Sequence, residues 1–290
     1  MSKHFDKFIE SLPPIVTEAD LARRLQEVKF VGRASKIDKE RFTKKIDKDL
    51  VSFTIKDSKS GLKKLLYSKS KEISPYEIGH RLQPKGYFSN LTAQFYWGLI
   101  NEVPTSVYIS SEVTRQKDSK RAVTSLDDHS IRSAFLKPPR MTSKQWNYDS
   151  FRIIFLERIH SGEVGVVTTQ SRGRLQLPKS SRVTSRERTL IDSVINPQYS
   201  GGMLNVVQVF QAAKDEINMN ELIKIYRSIS PIYPFWQTIG FVLDLVSSKN
   251  LTEKWMKNFK IKNTFFFDKE AKSDWKLNDR WKIFYPPELL

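Results

Sequence analysis

One stretch of the chain, Thr184 to Gly202, constrains the fold more than any other. Its sequence, TSRERTLIDSVINPQYSGG, predicts a helix with a defined start and a defined end. Thr184 and Glu187 have the spacing of a capping box, which satisfies free amide groups at a helix N-terminus. Asn196-Pro197 ends the helix because proline lacks an amide hydrogen and disfavours helical angles in the residue before it. Gly201-Gly202 then permits a tight turn into the next helix, which begins at Met203.

The apolar residues of this predicted helix recur at helical spacing and share one face, which we expect to be buried. They are Leu190, Ile191, Val194 and Ile195. Spacing alone describes a core helix that could belong to many domains. The order of the residue types in this stretch, taken together with a second stretch, is more informative.

Two stretches of the chain resemble a known protein family. The first is the string S-R-E-R-T-L-I-D at 185–192, followed by a proline, Gly-Gly and an amphipathic helix that ends near Ala212-Ala213. The second runs from Ser74 to Pro104 and contains S-P-Y-E-I-G, then G-Y-F-S, then W-G-L-I. In this order they resemble the AbiEi family, the antitoxins of abortive-infection (type IV) toxin–antitoxin systems.

The resemblance implies a function for each part of the chain. AbiEi-like antitoxins commonly carry an N-terminal winged-helix domain, which here would be residues 1–72, followed by an antitoxin domain, here residues 73–290. The implied protein is an antitoxin and a DNA-binding transcriptional autorepressor. Its first domain would bind operator DNA at inverted repeats in its own promoter. Its second domain would neutralise a cognate nucleotidyltransferase-like toxin, not necessarily through a stable complex.

The pattern of the first 70 residues independently indicates a DNA-binding domain. Helical patterns at 3–12 and 17–28 precede a basic helical pattern at 35–50. An alternating run, a polar turn at Asp57–Gly61 and a second apolar-basic run then predict a hairpin. This order is typical of a winged helix-turn-helix domain, whose third helix enters the major groove. The alternative is a solvated basic face on an ordinary helical subdomain.

The basic helix and the hairpin supply the predicted DNA-binding residues. On the helix they are Lys39, Arg41, Thr43, Lys44, Lys45 and Lys48. On the hairpin they are Lys59, Lys63 and Lys64. We expect the lysines and the arginine to contact phosphate or base edges, and Thr43 to offer a polar base contact.

The rest of the chain predicts an α+β domain with a small sheet and a helical bundle. Predicted strands occupy 105–111, 151–159, 164–169 and 174–177, and we expect a polar loop or exposed edge at about 115–145. Helices follow Gly202, and Asn218 with Glu221 forms a second predicted capping box. The aromatic tail predicts one or two strands that return to the sheet.

A second basic surface is predicted around the last strand of this sheet and the helix after it. Its arginines are Arg172, Arg174, Arg182, Arg186 and Arg188, which we assign to the functional surface of the antitoxin domain. A carboxylate such as Asp192 is expected to fix structure. In the alternative hypothesis, this surface makes the chain an RNA-binding or nucleic-acid-processing protein.

The net charge of +17 over 290 residues indicates a polyanionic partner, most commonly nucleic acid. An anionic membrane surface or an acidic protein would be attracted by the same charge. The sequence has no cysteine, its four histidines stand at no metal-ligand spacing, and it lacks phosphate-binding glycine motifs. We therefore predict no metal, no cofactor and no enzymatic activity. With no membrane-spanning run, the cytoplasm is the expected location.

Overall fold

The computed structural model describes residues 2–27, 44, 46–113, 126–159, 161–169, 173–246 and 249–289, and within them the chain has a mixed α+β fold. Its helices there are α1 (Ser2–Ser11), α2 (Glu18–Glu27), α3 (Pro75–Leu82), α4 (Asn90–Tyr96), α5 (Asp128–Phe135), α6 (Arg186–Ile195), α7 (Gly202–Ala213), α8 (Met219–Ile229), α9 (Phe235–Leu245) and α10 (Lys249–Met256). Its strands there are β1 (Ile15–Thr17), β2 (Val51–Asp57), β3 (Lys63–Ser68), β4 (Tyr87–Phe88), β5 (Ser106–Glu112), β6 (Gln145–Tyr148), β7 (Phe151–Arg158), β8 (Val166–Thr168), β9 (Arg182–Thr184), β10 (Phe265–Phe266), β11 (Lys276–Asn278) and β12 (Ile283–Tyr285).

The chain divides into two compact units. Unit 1 comprises Met1–Pro84 and Ser143–Ile154, and unit 2 comprises Lys85–Thr142 and Phe155–Leu290. The predicted boundary between residues 72 and 73 therefore falls inside unit 1. Two contacts explain the difference: α3 packs against β1, and β6 pairs with β2.

The sheet of unit 1 has the strand order β1-β3-β2-β6, continued by the first half of β7. Antiparallel pairing of β2 with β3 places Val51 opposite Ser68 and Lys56 opposite Lys63, which confirms the predicted hairpin. Strand β1 pairs with the outer side of β3. The sequence did not reveal β1, because three residues are too few to show an alternating pattern.

Helices α1 and α2 were predicted from their spacing, and the structure confirms both. The hydroxyl of Thr17 caps α2 by accepting a hydrogen bond of 3.1 Å from the amide of Asp20, and Arg81 Nη2 on α3 donates to Asp20 Oδ2 at 2.6 Å. The core of these helices is apolar and consists of Phe8, Leu12, Val16, Leu21, Ile46 and Leu50. Of the predicted basic helix, residues 44 and 46–49 are helical, and the part before Lys44 lies outside the described residues.

Unit 2 contains the second half of β7 and the strands β5, β4, β9 and β8. The strand predicted at 174–177 is wrong, because Arg174 donates its amide to the Tyr96 carbonyl at 2.9 Å and this segment lies against the end of α4. The strand in this region is β9, which pairs in parallel with β4 and antiparallel with β8.

The predicted polar loop at about 115–145 contains helix α5 and the first residue of β6. Asp127 caps α5 by accepting a hydrogen bond of 2.7 Å from the amide of Ser130. Ile131 and Phe135, four residues apart, are fully buried on one face. The polar residues around them concealed this short helix, so the loop interpretation was wrong for residues 128–135.

The aromatic tail was predicted to return to the larger sheet, and this is wrong. It forms a separate three-stranded sheet with the order β10-β12-β11. This small sheet packs on α9. Gln237 Nε2 donates to the Trp281 carbonyl at 2.7 Å, and Trp281 Nε1 donates to Asp244 Oδ2 at 2.5 Å. Because the indole is fully buried, these bonds fix the tail in the core of unit 2.

Candidate nucleic-acid interface

The hairpin β2–β3 separates its predicted DNA-binding lysines onto different faces. Successive side chains of a strand point to opposite faces, so Lys63 and Lys64 do not lie side by side. Lys63 lies opposite Lys56 and is exposed, whereas Lys64 lies opposite the buried Ile55 and is half-buried. Lys63 therefore belongs to a solvent-facing surface, and Lys64 to the edge of the core.

The solvent-facing surface of the hairpin is polar and basic. Along β2 it carries Ser52, Thr54 and Lys56, all exposed, while the opposite face buries Ile55 and Leu66. Lys56 was missed among the predicted site residues. The alternation S-x-T-x-K in the sequence was the available signal, since it places Lys56 on the same face as two hydroxyl side chains.

Lys59 lies at the tip of the hairpin, where it is exposed. Asp57 shapes the turn by accepting hydrogen bonds from the amides of Lys59 at 3.1 Å and Ser60 at 2.6 Å. The Ser60 hydroxyl also donates to this carboxylate at 2.6 Å. These hydrogen bonds, above all that of the hydroxyl, hold the pKa of Asp57 below its usual value. The carboxylate is thus used to form the turn that presents Lys59.

Two lysines on the helix before β2 also face solvent. Lys44 and Lys48 are four residues apart, the spacing that places side chains on one helical face, and both are exposed. Ile46 and Leu50 are buried, so the helix packs through a different face. The other predicted residues of this helix, Lys39, Arg41, Thr43 and Lys45, lie outside the described residues.

Arg188 was predicted to lie on the second basic surface, and this is wrong. Its side chain is only 2% exposed, and its Nε lies 3.0 Å from Asp192 Oδ1. Its Nη1 donates to the Val164 carbonyl at 2.7 Å. Burial by itself lowers the pKa of Arg188, but Asp192, Tyr87 and Glu112 together outweigh this effect and raise it above its ordinary value. The guanidinium therefore stays charged and stabilises unit 2 from within; Asp192 fixes structure, as expected.

The other described arginines of this predicted surface contact groups within unit 2. Arg182 Nη1 lies 2.5 Å from Glu163 Oε2, and Arg186 Nη2 lies 2.6 Å from Glu216 Oε2. Arg174 lies over the ring of Phe95, 5.3 Å from its centroid. Arg172 lies outside the described residues. Three of the arginines therefore contact partners inside the protein, and their guanidinium groups are less available to bind an external phosphate.

Helix α6 begins as a strand ends, and its cap differs from the predicted one. Thr184 is the last residue of β9, and Ser185 is the N-cap, whose hydroxyl accepts a hydrogen bond of 3.2 Å from the amide of Arg188. Glu187 does not close a capping box, since its carboxylate accepts from the amide of Asn218 at 3.1 Å. The predicted end of the helix before Pro197 is confirmed.

The first of the two stretches that carry the family resemblance and the later part of the second, residues 85–104, pack together inside unit 2, whereas the S-P-Y-E-I-G part of the second stretch lies in unit 1. Gln94 Nε2 donates to Ser193 Oγ at 2.8 Å, and Trp97 Nε1 donates to the Thr184 carbonyl at 2.7 Å. Asn205 Nδ2 on α7 donates to Gln94 Oε1 at 2.9 Å. Buried polar groups of this kind stabilise only when they find partners, and these residues supply partners for one another.

Within the ranges that the structure describes, no three histidine, aspartate or glutamate side chains cluster so as to hold a metal ion. In the same ranges, no helix is long and apolar enough to cross a membrane. Among the described residues, the predicted basic positions that the structure leaves exposed in a group lie in unit 1. They are the lysines of the hairpin and of the helix that precedes it.

Comparisons with known proteins show the fold and leave the function open. Neither the protein-family models nor the curated proteins gave a match. Among solved structures, the crystal structure of the RV2827C protein from Mycobacterium tuberculosis is similar, with a TM-score of 0.56 and 13% sequence identity. The alignment covers 98% of this chain and 90% of that chain. At this identity the likeness extends to the fold alone.

Proposed function

We propose that this protein is a DNA-binding transcriptional repressor that binds duplex DNA through unit 1. The observation that carries the proposal is the exposed basic surface of the β2–β3 hairpin, which directly follows a helix with two exposed lysines. Lys44, Lys48, Lys56, Lys59 and Lys63 are all exposed. Lysine side chains of this kind bind the phosphate backbone and position a protein on duplex DNA.

The order of elements in unit 1 supports a winged helix-turn-helix domain. Two helices and the short strand β1 precede the helical residues 46–49, and the hairpin follows at once. Strand β1 pairs with β3, which gives the order β1-β3-β2 expected when a hairpin serves as the wing. In this arrangement the helix ending at Asp49 would enter the major groove, and the hairpin would lie along phosphates.

The proposal is tested by substituting the two described lysines of the helix in the full-length protein. Lys44→Glu with Lys48→Glu should abolish retention of the promoter duplex of its own operon, measured by fluorescence anisotropy. A matched control, Lys260→Glu with Lys276→Glu, changes net charge equally at exposed positions of unit 2 and should retain binding. An equal loss of duplex binding in the test and control variants would contradict the proposal. So would a preference for RNA that the substitutions at Lys44 and Lys48 do not change.

We further propose that unit 2 acts as an antitoxin against a nucleotidyltransferase-like toxin, as the resemblance to AbiEi proteins implies. The packing of the first resembling stretch against residues 85–104 of the second within this one unit supports it, because those residues then serve one structure. The pair of charge reversals at Lys44 and Lys48 should leave this activity intact.

The antitoxin proposal is tested by expressing the neighbouring open reading frame with and without this protein. Growth should be restored equally by the wild type and by the Lys44→Glu, Lys48→Glu variant. Point variants are preferable to deleting residues 1–72, because Ser143–Ile154 belongs to unit 1 and would lose its partner strand. Toxicity that neither protein relieves would refute the antitoxin activity while leaving the DNA-binding proposal to its own test.

A further inference from the structure

Four strands of unit 1 place one polar residue each in a continuous row. Lys63 on β3 lies opposite Lys56 on β2, Lys56 lies opposite Asn147 on β6, and Asn147 lies opposite Arg152 on β7. Directly opposed residues of antiparallel strands share a face. With strands about 4.8 Å apart, the row crosses three spacings, or roughly 14 Å. None of the sequence patterns links β2 with β6, so the sequence did not predict this row.

The row lies on the solvent-facing side of the sheet. Lys56, Lys63 and Arg152 are exposed, and Asn147 is half-buried. The neighbours of Arg152 and Lys56 on the other face, Ile153 and Ile55, are buried. The alternation thus fixes the direction of the three cations toward water.

A tight hairpin sets the register that places Arg152 in the row. Strands β6 and β7 are joined by the two residues Asp149 and Ser150, with Tyr148 opposite Phe151. Asp149 has a φ of 50°, the left-handed conformation that such short hairpin turns require and that aspartate tolerates. A register shift of one residue would turn Arg152 toward the buried face.

Within the described part of the chain, no ion pair neutralises the charges of the row. None of the ion pairs in the described part of the chain involves Lys56, Lys63 or Arg152. Like charges placed directly opposite each other, as Lys56 and Lys63 are, destabilise a sheet. Asn147 Oδ1 accepts a hydrogen bond of 3.2 Å from Ser58 Oγ, which directs its amide group as a donor beside the cations.

We propose that Lys63, Lys56, Asn147 and Arg152 form a phosphate-binding track for the backbone of duplex DNA. The proposal rests on the DNA-binding function proposed above and extends its contact surface from the hairpin to β6 and β7. Three cations and an amide donor in a line fit a row of phosphates, which line each strand of a duplex. The phosphodiester backbone would supply the counter-charges that the described residues do not provide here.

The test is the salt dependence of affinity for a mixed-sequence duplex of roughly 30 base pairs, about three helical turns. The test variant is full-length Lys56→Gln with Arg152→Gln, which keeps part of each side chain. The control is Lys260→Gln with Lys276→Gln, which removes the same charge from exposed positions of unit 2. Each phosphate contact contributes about 0.9 to the slope of log affinity against log salt, so the test variant should lose about 2 from the slope.

The outcomes separate this inference from the function on which it rests. A slope reduced by about 2 in the test variant and unchanged in the control, with equal thermal unfolding, supports the track. If the wild type binds the duplex but the test and control variants show the same slope of log affinity against log salt, the track is overturned and the DNA-binding proposal stands. No duplex binding by the wild type at low salt would overturn both proposals.

Discussion

Replacing Arg188 with methionine should destabilise unit 2 severely. The side chains of Arg188 and Asp192 are 2% and 3% exposed, and they face each other at 3.0 Å. Removing the cation leaves a buried carboxylate without compensation, which typically costs about 3–5 kcal/mol. One oxygen, Asp192 Oδ2, already has no hydrogen-bond partner among the described residues, so little else would stabilise the charge.

The double variant Arg188→Met, Asp192→Leu should recover most of this loss. Buried ion pairs replaced by apolar residues of similar size are often neutral in stability, because the desolvation of both charges is relieved. The Val164 carbonyl loses its bond to Arg188, so we expect a residual cost of about 1–2 kcal/mol. The two substitutions are therefore predicted to be strongly non-additive.

The assay is urea unfolding followed by tryptophan fluorescence, since five of the six tryptophans belong to unit 2. The midpoint should fall sharply for Arg188→Met and return toward the wild-type value for the double variant, with similar slopes. A loss under about 1 kcal/mol in the single variant, or an equal loss in the single and double variants, would refute the reasoning.

Three further predictions concern stability. Burial raises the pKa of Asp268 to about 6, so the native state holds this proton more tightly than the unfolded chain. The free energy of unfolding should fall as the pH rises from about 4 to about 6, and Asp268→Asn should remove up to about 3 kcal/mol of that fall, as measured by urea unfolding across this range. A fall of the same size in Asp268→Asn would contradict this. A Cβ at Gly240 would overlap the buried ring of Trp281, so Gly240→Ala should cost about 1–3 kcal/mol or more in thermal unfolding. An unchanged midpoint would mean that the ring can shift. Ser185→Ala should cost about 1 kcal/mol by removing the cap of α6, whereas Glu187→Gln should leave that cap intact. A larger loss of stability in Glu187→Gln than in Ser185→Ala, measured by calorimetry, would favour the predicted capping box instead.

Local patterns in the sequence predicted those elements whose residues alternate or repeat over many positions. The hairpin β2–β3 was predictable in this way, whereas the end of α6 before Pro197 and the turn at Gly201 were predictable from the backbone restrictions of proline and the freedom of glycine. Gly201 and Gly202 have φ values of 85° and 84°, a conformation that favours glycine. The short elements β1 and α5 were not predictable, because so few residues carry little periodic signal.

The candidate interface was predicted in part, because basic residues are visible in a sequence but their partners are not. Arg188 resembles its neighbours Arg186 and Arg182 in the sequence, yet only pairing across four residues with Asp192 and burial against Val164 decides its role. Arg152 shows the converse. It joins the basic row through pairing with β6, a contact that depends on the three-dimensional sheet.

Lysine modification in the presence and absence of duplex DNA tests the central claim most directly. The full-length protein is acetylated with a limiting reagent, and the rate at each lysine is measured by mass spectrometry. The account predicts that DNA slows modification of Lys44, Lys48, Lys56 and Lys63 and leaves Lys276 unchanged. Protection confined to unit 2, or no protection at any of these four lysines while DNA is bound, would contradict it.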